Sequence, residues 1–150
     1  MTHRTDHIWD EVLAQARIAA CHGEVPVGAV ITRQGEIIAR AHNQVEALQD
    51  PLAHAEKLVI ERACTTLKSK WLEGCYLYVS LEPCIMCAGA IMLSRLERVY
   101  FGAPNPKIGA IDHGARFFQQ AGCTHYPEIY GGFREGEAST LLQRFFAKKR

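Results

Sequence analysis

The chain has 150 residues, a length that suits one compact domain with a core of its own. Because the sequence contains neither an internal repeat nor a linker, we predict a single domain over residues 1–150. Its 17 basic and 16 acidic residues nearly cancel, so net charge gives no argument for nucleic-acid binding, although a local basic patch can sit on a neutral protein. No stretch resembles a signal peptide or approaches the length of a membrane span, so we expect a cytoplasmic protein, away from membranes, whose six cysteines remain reduced.

The first part of the chain predicts a helix followed by a β-hairpin. Apolar residues recur at helical spacing over residues 6–22, and Gly23 is a stop signal after them. Apolar and β-branched runs at residues 27–31 and 36–41 flank Gly35, which marks the turn between two strands.

The middle of the chain predicts two helices that each begin at an acid–proline pair. Asp50-Pro51 offers an N-cap acid and then proline at the first helical position. Residues 76–81 alternate like a strand, and Glu82-Pro83 then starts the second helix, which runs to about residue 95.

The last part predicts two short strands and a helix. A strand is expected at residues 98–102, a loop rich in proline and glycine at 104–109, a short strand at 125–130 and an amphipathic helix over 138–146. This order of elements predicts helices packed on a mixed sheet, which is the α/β class.

Two short motifs at the predicted helix starts carry the chemistry: His54-x-Glu56 and Pro83-Cys84-x-x-Cys87. The two cysteines are three residues apart, so their sulfur atoms share one helical face. A helix N-terminus lowers the pKa of a thiol, and the thiolate is the form that binds a metal. If the two helix starts converge, they offer one nitrogen and two sulfur atoms to a tetrahedral ion.

Three protein ligands leave the fourth position of a zinc ion open, which is the arrangement of a catalytic site. A structural site would need a fourth ligand, and none of the other cysteines forms a second close pair. Glu56 need not be a ligand, and its carboxylate could take a proton from zinc-bound water and pass it on. The remaining cysteines are Cys21, Cys64, Cys75 and Cys123.

Each motif has a simpler explanation when taken alone. A Cys-x-x-Cys pair can be redox-active or incidental, and a lone histidine is more often an ordinary surface or core residue. Together, His-x-Glu followed by Pro-Cys-x-x-Cys is the signature of the zinc deaminases, in which the glutamate is the general acid and base. We therefore predict a hydrolytic deaminase with one Zn²⁺ per subunit on His54, Cys84 and Cys87, and with Glu56 as its catalytic residue.

The sequence resembles the bacterial tRNA adenosine deaminases, the TadA family of the cytidine deaminase-like superfamily, over residues 11–146. Within the superfamily, the segments at residues 24–29 and 84–89 discriminate best. The stretches that carry the resemblance are residues 24–30, 41–43, 50–56, 77–90 and 101–103.

The resemblance implies a three-layer α/β/α fold with a mixed sheet of about five strands, and conversion of adenosine at the anticodon wobble position of tRNA to inosine. Zinc-activated hydroxide would attack C6 of adenine, while Glu56 protonates N1 and then the departing amine. The resemblance also implies that Asn43 and the backbone near Ala55 contact the base and sugar. On its own, Asn43 would be interpreted as a turn residue.

Residues 103–110 match a family loop with the pattern Asp-x-Lys-x-Gly-Ala, which contacts the RNA backbone, but Asn105 stands at the aspartate position. An amide keeps hydrogen bonding to a ribose hydroxyl and removes a charge that repels phosphate. Because the 2′-OH distinguishes RNA from DNA, we expect better tolerance of deoxyadenosine than in relatives with aspartate. Lys107 is by the same resemblance a phosphate contact, and equally well an exposed loop lysine.

The C-terminal helix combines aromatic and basic residues. Phe145 and Phe146 are core candidates, and the resemblance places one of them, preferably Phe146, near the flipped-out nucleotide, because aromatic rings stack on unpaired bases. Arg144, Lys148 and Arg150 either supplement phosphate binding or form a solvated helix end. The segment at residues 113–118 is less apolar than in several family members, and the sequence assigns it no chemical role.

The resemblance further implies a homodimer, with the helices after Asp50 and Glu82 near the interface, and a tRNA partner that is usually the arginine tRNA with an ACG anticodon. Guanine, cytosine and cytidine-type deaminases share the zinc centre, so the shape of the pocket decides among these substrates. A non-catalytic, zinc-stabilised binding module is a further alternative, and Glu56 argues against it because a structural site needs no such carboxylate.

Overall fold

The computed structural model describes residues 4–149, in which five strands form one mixed sheet with the order β2-β1-β3-β4-β5. β1 is antiparallel to both neighbours, whereas β3, β4 and β5 are parallel. The helices and strands are α1 (Asp6–Cys21), β1 (Gly28–Arg33), β2 (Glu36–His42), α2 (Val45–Leu48), α3 (Ala55–Leu67), β3 (Cys75–Leu81), α4 (Ile85–Ser94), β4 (Arg98–Ala103), the 3-10 turn Phe117–Gln119, β5 (Glu128–Tyr130) and α5 (Glu135–Lys148).

Helices cover both faces of the sheet, because successive side chains of a strand point to opposite faces. On one face, Ile31 and Leu77 pack with Val59 of α3 and Ile91 of α4 in the larger core cluster. On the other face, α1 and α5 cover the strands, with core clusters that centre on Val12 and Ala138. The three-layer α/β/α fold expected from the sequence is confirmed, and β1 is almost wholly buried because both of its faces are covered.

The predicted start of the second helix at Asp50-Pro51 is wrong. The Asp50 carboxylate accepts the N–H of Leu52 at 2.9 Å, which closes a turn instead of capping a helix. The helix begins at Ala55, and His54 is its N-cap residue with an extended backbone. The four-residue helix α2 before this turn is too short to produce a periodic pattern, and the sequence did not predict it.

The predicted start of the next helix at Glu82-Pro83 is also two residues too early. Glu82 still follows the sheet, because its N–H donates to the carbonyl of Ala103 at 2.9 Å. Cys84 is the N-cap residue, and α4 begins at Ile85. The last strand is likewise shorter than expected and begins at Glu128. Among residues 4–149, no helix is long and apolar enough to cross a membrane.

Candidate metal centre and nucleotide pocket

The N-termini of α3 and α4 meet at the edge of the sheet where β2 and β3 end. The Nδ1 atom of His54 lies 3.6 Å from the Sγ atom of Cys84 and 3.6 Å from that of Cys87. These three atoms all lie within 4.8 Å of one another, and they are the metal-competent group of histidine, cysteine and acidic residues found in the described part of the chain. The fold therefore brings His54 next to two cysteines that lie 30 and 33 residues later in the sequence.

The spacing of these atoms fits a tetrahedral zinc ion. With Zn–N and Zn–S bonds of about 2.0–2.1 and 2.3 Å, the N–S edge of a tetrahedron is roughly 3.5–3.6 Å long. The two distances from the Nδ1 atom of His54 agree with that edge. One imidazole and two thiols are also the donor set that zinc prefers, and they leave one coordination position for water or substrate.

The protonation of the two thiols is coupled. A hydrogen bond from Cys87, assisted by one from His54, lowers the pKa of the Cys84 thiol to about 4. The hydrogen bond to Cys84 and burial in turn raise the pKa of Cys87. The hydrogen bond to Cys84 also raises the pKa of His54. The first negative charge therefore resides on Cys84, and a bound cation would stabilise the second charge on Cys87.

Glu56 lies in the first turn of α3 and is 4% exposed. Burial raises the pKa of its carboxyl to about 7, and the neighbouring Cys84 adds to the rise. A carboxyl group that titrates near neutrality can both take up and release a proton during one reaction. Its side chain lines the same cavity as His54 and Cys84.

A cavity of about 410 Å³ opens in front of this centre, within the size range of small-molecule sites. Three of the predicted nucleotide contacts line it from separate parts of the chain, namely Asn43, Asn105 and Phe146. The lining also includes His54, Glu56 and Cys84 and, from other segments, Glu24, Glu82, Ile108 and Lys149.

Asn43 supports the start of α3 as well as lining the cavity. Its Oδ1 atom accepts the N–H of Ala55 at 2.8 Å, and its side chain is buried. The N–H of Ala55 is therefore already engaged within the protein. Asn43 thus links the end of β2 to the helix that carries Glu56.

The other sequence-predicted contacts differ in whether they reach the cavity. Asn105 lines it, and its Oδ1 atom accepts the N–H of Ile108 at 3.2 Å. Phe146 lines it from α5 and is 49% exposed, so it is not a core residue. Lys107 is exposed and is not part of the cavity lining. Lys149 joins the lining, whereas Arg150 lies outside the described residues.

Two buried glutamates that line the cavity hold its walls, and the sequence identified neither as a site residue. The Glu24 carboxylate accepts the N–H groups of Glu46 and Ala47 at 3.0 and 2.8 Å, at the start of α2. Burial alone would raise the pKa of Glu82, but hydrogen bonds from the Asn105 amide and the His113 ring bring that pKa below its ordinary value. Each glutamate belongs to a segment that carries the family resemblance, which is the signal that could have identified it.

Comparison with known proteins agrees with this geometry. Residues 3–103 match the cytidine and deoxycytidylate deaminase zinc-binding region. The chain is 47% identical over 150 residues to a tRNA-specific adenosine deaminase of Agrobacterium fabrum, covering 100% of this chain and 98% of that protein. It is 49% identical over 138 residues to the corresponding deaminase of Aquifex aeolicus, covering 92% and 91% of the two chains.

A solved structure gives the same result. Its chain, from work on A-to-I editing by tRNA:A34 deaminases at the wobble position of transfer RNA, superposes with a TM-score of 0.89 at 46% identity. The superposition covers 91% of this chain and 99% of that one. The three-layer fold and the His/Cys/Cys group define a deaminase of the zinc-binding, cytidine deaminase-like class. Within that class, the chain belongs to the tRNA-specific adenosine deaminase family, as the sequence motifs predicted.

Proposed function

We propose that this chain is a single deaminase domain over residues 1–150 that hydrolyses adenosine to inosine at the wobble position of a tRNA anticodon, with release of ammonia. The observation that carries the proposal is the buried Glu56 carboxyl beside the His54, Cys84 and Cys87 donors in one cavity. A hydrolytic deamination needs a polarised water and a group that moves its protons, and this arrangement provides a place for each.

The metal in this proposal is zinc, held by His54, Cys84 and Cys87. When bound, zinc supplies Lewis acidity that makes water nucleophilic at neutral pH. The distances between the three donor atoms and the chemistry of the donors support this choice of ion. The nearby helix N-termini add partial positive charge that favours the thiolates.

Glu56 moves the protons of the reaction. Its carboxylate accepts a proton from the attacking water and delivers it to N1 of adenine, as oxygen adds to C6. The C6–N6 bond then breaks, and Glu56 transfers the second water proton to the amine, which leaves as ammonia. A pKa of about 7 suits both halves of this cycle near neutral pH.

The cavity walls bind the nucleotide once it has left the base stack. Asn43 and the backbone at His54 and Glu56, on either side of the buried Ala55, contact the base and sugar, and Asn105 contacts the ribose from the loop after β4. The half-exposed ring of Phe146 offers a stacking surface for an unpaired base. Lysines at the end of α5, and Lys107 on the neighbouring loop, supply positive charge for the phosphates.

The partner is the anticodon stem-loop of a tRNA, and we propose the arginine tRNA with the ACG anticodon as the substrate in the cytoplasm. We also propose a homodimer formed through α3 and α4. Its support is an exposed apolar set near these helices: Leu93 is 72% exposed, Ile85 57% and Leu52 48%. Such side chains on neighbouring elements are typical of a surface that another subunit covers.

The test is ammonia release by the zinc-loaded protein from four substrates: the ACG anticodon stem-loop, free guanine, free cytosine and cytidine. We expect ammonia from the stem-loop alone, and none with the Glu56→Ala variant. Release from guanine, cytosine or cytidine without release from the stem-loop would reject the tRNA substrate. Absence of turnover on all four, with zinc fully bound, would favour a binding module.

A further inference from the structure

The carboxylate of Glu82 is wholly buried beneath the loop that follows β4. Its Oε1 atom accepts the N–H of Asn105 at 3.0 Å. Its Oε2 atom accepts the N–H groups of Ile111, Asp112 and His113 at 3.1, 2.9 and 3.1 Å. One side chain therefore holds both ends of the segment 105–113 by their backbones.

His113 completes this arrangement from the solvent side. Its Nδ1 atom lies 2.7 Å from the Oε1 atom of Glu82, and its side chain is 39% exposed. A carboxylate that already accepts four backbone N–H groups is ionised, so the Nδ1 atom carries the proton and donates it. A hydrogen bond from imidazole to a buried carboxylate is among the stronger polar contacts in a protein.

The same loop packs closely against the residues just before α4. The N–H of Ala110 donates to the carbonyl of Pro83 at 2.9 Å. A Cβ atom added at Gly109 would lie 2.7 Å from the Oε2 atom of Glu82 and 2.4 Å from the carbonyl oxygen of Asn105. Only glycine therefore allows the loop to close over the carboxylate.

This loop forms one wall of the cavity. Asn105 and Ile108 line from this loop the same cavity that His54 and Glu56 line. Both oxygens of Glu82 are occupied by donors from the loop, so its carboxylate has no free lone pair directed at a metal or a substrate. Its influence on a bound nucleotide must act through the position of Asn105.

We propose that Glu82 and His113 form a positioning pair that fixes the loop 105–113 and sets the nucleotide-binding wall at Asn105 and Ile108. This inference rests on the proposed function for its kinetic consequence. Loss of the pair loosens the wall and leaves the metal donors and Glu56 in place. KM for the stem-loop therefore rises, while kcat changes little, because binding is weakened more than the chemical step.

Three variants of the zinc-loaded protein test the pair. His113→Ala removes the donor, and we expect a roughly tenfold rise in KM for the stem-loop, with kcat within about twofold of the unmodified protein. His113→Asn keeps a side-chain N–H that reaches the carboxylate, so its KM should lie close to that of the unmodified protein. His125→Ala is the matched control, because its ring nitrogen lies 2.6 Å from the carbonyl of Leu96, away from the cavity lining, and KM should not change.

Hydrogen exchange separates a failure of this inference from a failure of the proposed function. In His113→Ala, the amides of residues 105–113 should exchange faster, while those of α4 keep their rates and zinc content stays the same. An unchanged exchange rate in the loop overturns the inference whatever the substrate is. An unchanged KM in His113→Ala, or an equal rise of KM in His125→Ala, overturns the expected effect of the pair on KM. If the unmodified protein does not act on the stem-loop, the proposed function is rejected instead.

Discussion

The Nδ1 atom of His54 lies 3.6 Å from the Sγ atom of Cys87, although 33 residues separate the two in sequence. Each belongs to the first turn or the cap of a helix that leaves the same edge of the sheet. The candidate metal donors are therefore positioned by helix starts, and their spacing does not depend on a long loop.

Cys87→Ser should remove the metal from the protein. A serine hydroxyl does not ionise as a thiol does, so we expect zinc per chain to fall well below one and activity to disappear. Zinc at 100 times its dissociation constant should stabilise the unmodified protein by about 2.7 kcal/mol, and this gain should vanish in the variant. Elemental analysis and urea unfolding measure the two effects.

Cys21→Ser is the control for this substitution, since Cys21 is exposed and outside the metal-competent group. It should retain zinc and the zinc-dependent stabilisation. Full zinc content in Cys87→Ser would show that Cys87 is not a ligand.

Glu56→Gln should separate proton transfer from metal binding. The amide has the same shape as the carboxylic acid but cannot shuttle protons, so kcat should fall about 10²–10⁴-fold or further. Zinc content should stay at the level of the unmodified protein, because Glu56 lies outside the donor group. A variant that loses zinc would instead identify Glu56 as a ligand or a structural support.

Asn105→Asp should sharpen the preference for RNA. A carboxylate at this wall repels phosphate and accepts a hydrogen bond from the ribose 2′-OH, whereas an amide leaves deoxyribose better tolerated. We expect the ratio of kcat/KM on matched RNA and DNA hairpins to rise in the variant. Equal ratios in the two proteins would mean that residue 105 does not determine sugar selectivity.

His42 should make stability depend on pH. Burial lowers the pKa of its ring below the usual 6.5, and the positive charge of Arg62 lowers it further. Between that folded-state pKa and 6.5 the unfolded chain binds a proton that the folded chain does not, so stability is present above pH 6.5 and lost as the pH falls. The free energy of unfolding should therefore decrease on acidification from pH 7.5 in the unmodified protein more than in His42→Gln. Urea unfolding at a series of pH values measures this difference. The same pH dependence of the free energy of unfolding in both proteins would contradict the assignment to His42.

Leu93→Glu should disrupt self-association without unfolding the chain. Leu93 is 72% exposed on α4, so a charge there meets water in the monomer and an apolar surface in the proposed dimer. Sedimentation equilibrium should report a dimer for the unmodified protein and a monomer for the variant, with the same circular dichroism. A dimer in both would place the interface elsewhere.

The sequence predicts best where the cause is local. The alternation from Tyr76 to Leu81 and the Cys84–Cys87 spacing lie within one strand and one helical turn, and both have the expected structure. The predicted starts of α3 and α4 were wrong because the carboxylates of Asp50 and Glu82 accept backbone N–H groups outside these helices. The carboxylate of Glu82 binds backbone groups 23 to 31 residues later in the chain, which no local pattern reveals.

His113 shows the same limit at the site. Its sequence segment carried no interpretable motif, and its role follows from a 2.7 Å contact that only the folded chain creates. Asn43 is the intermediate case: a turn residue by pattern, it also fastens the start of α3 through Ala55. The candidate metal donors and Glu56 were visible in the motifs, whereas the hydrogen bonds that hold the cavity walls were not.

The proposed activity is tested by sequencing the product of the ACG anticodon stem-loop after incubation with the zinc-loaded protein and, in parallel, with Glu56→Gln at equal zinc content. We expect inosine at the wobble base with the unmodified protein and unchanged adenosine with the variant. Unchanged adenosine with both proteins, or inosine at equal yield with both, would contradict this expectation.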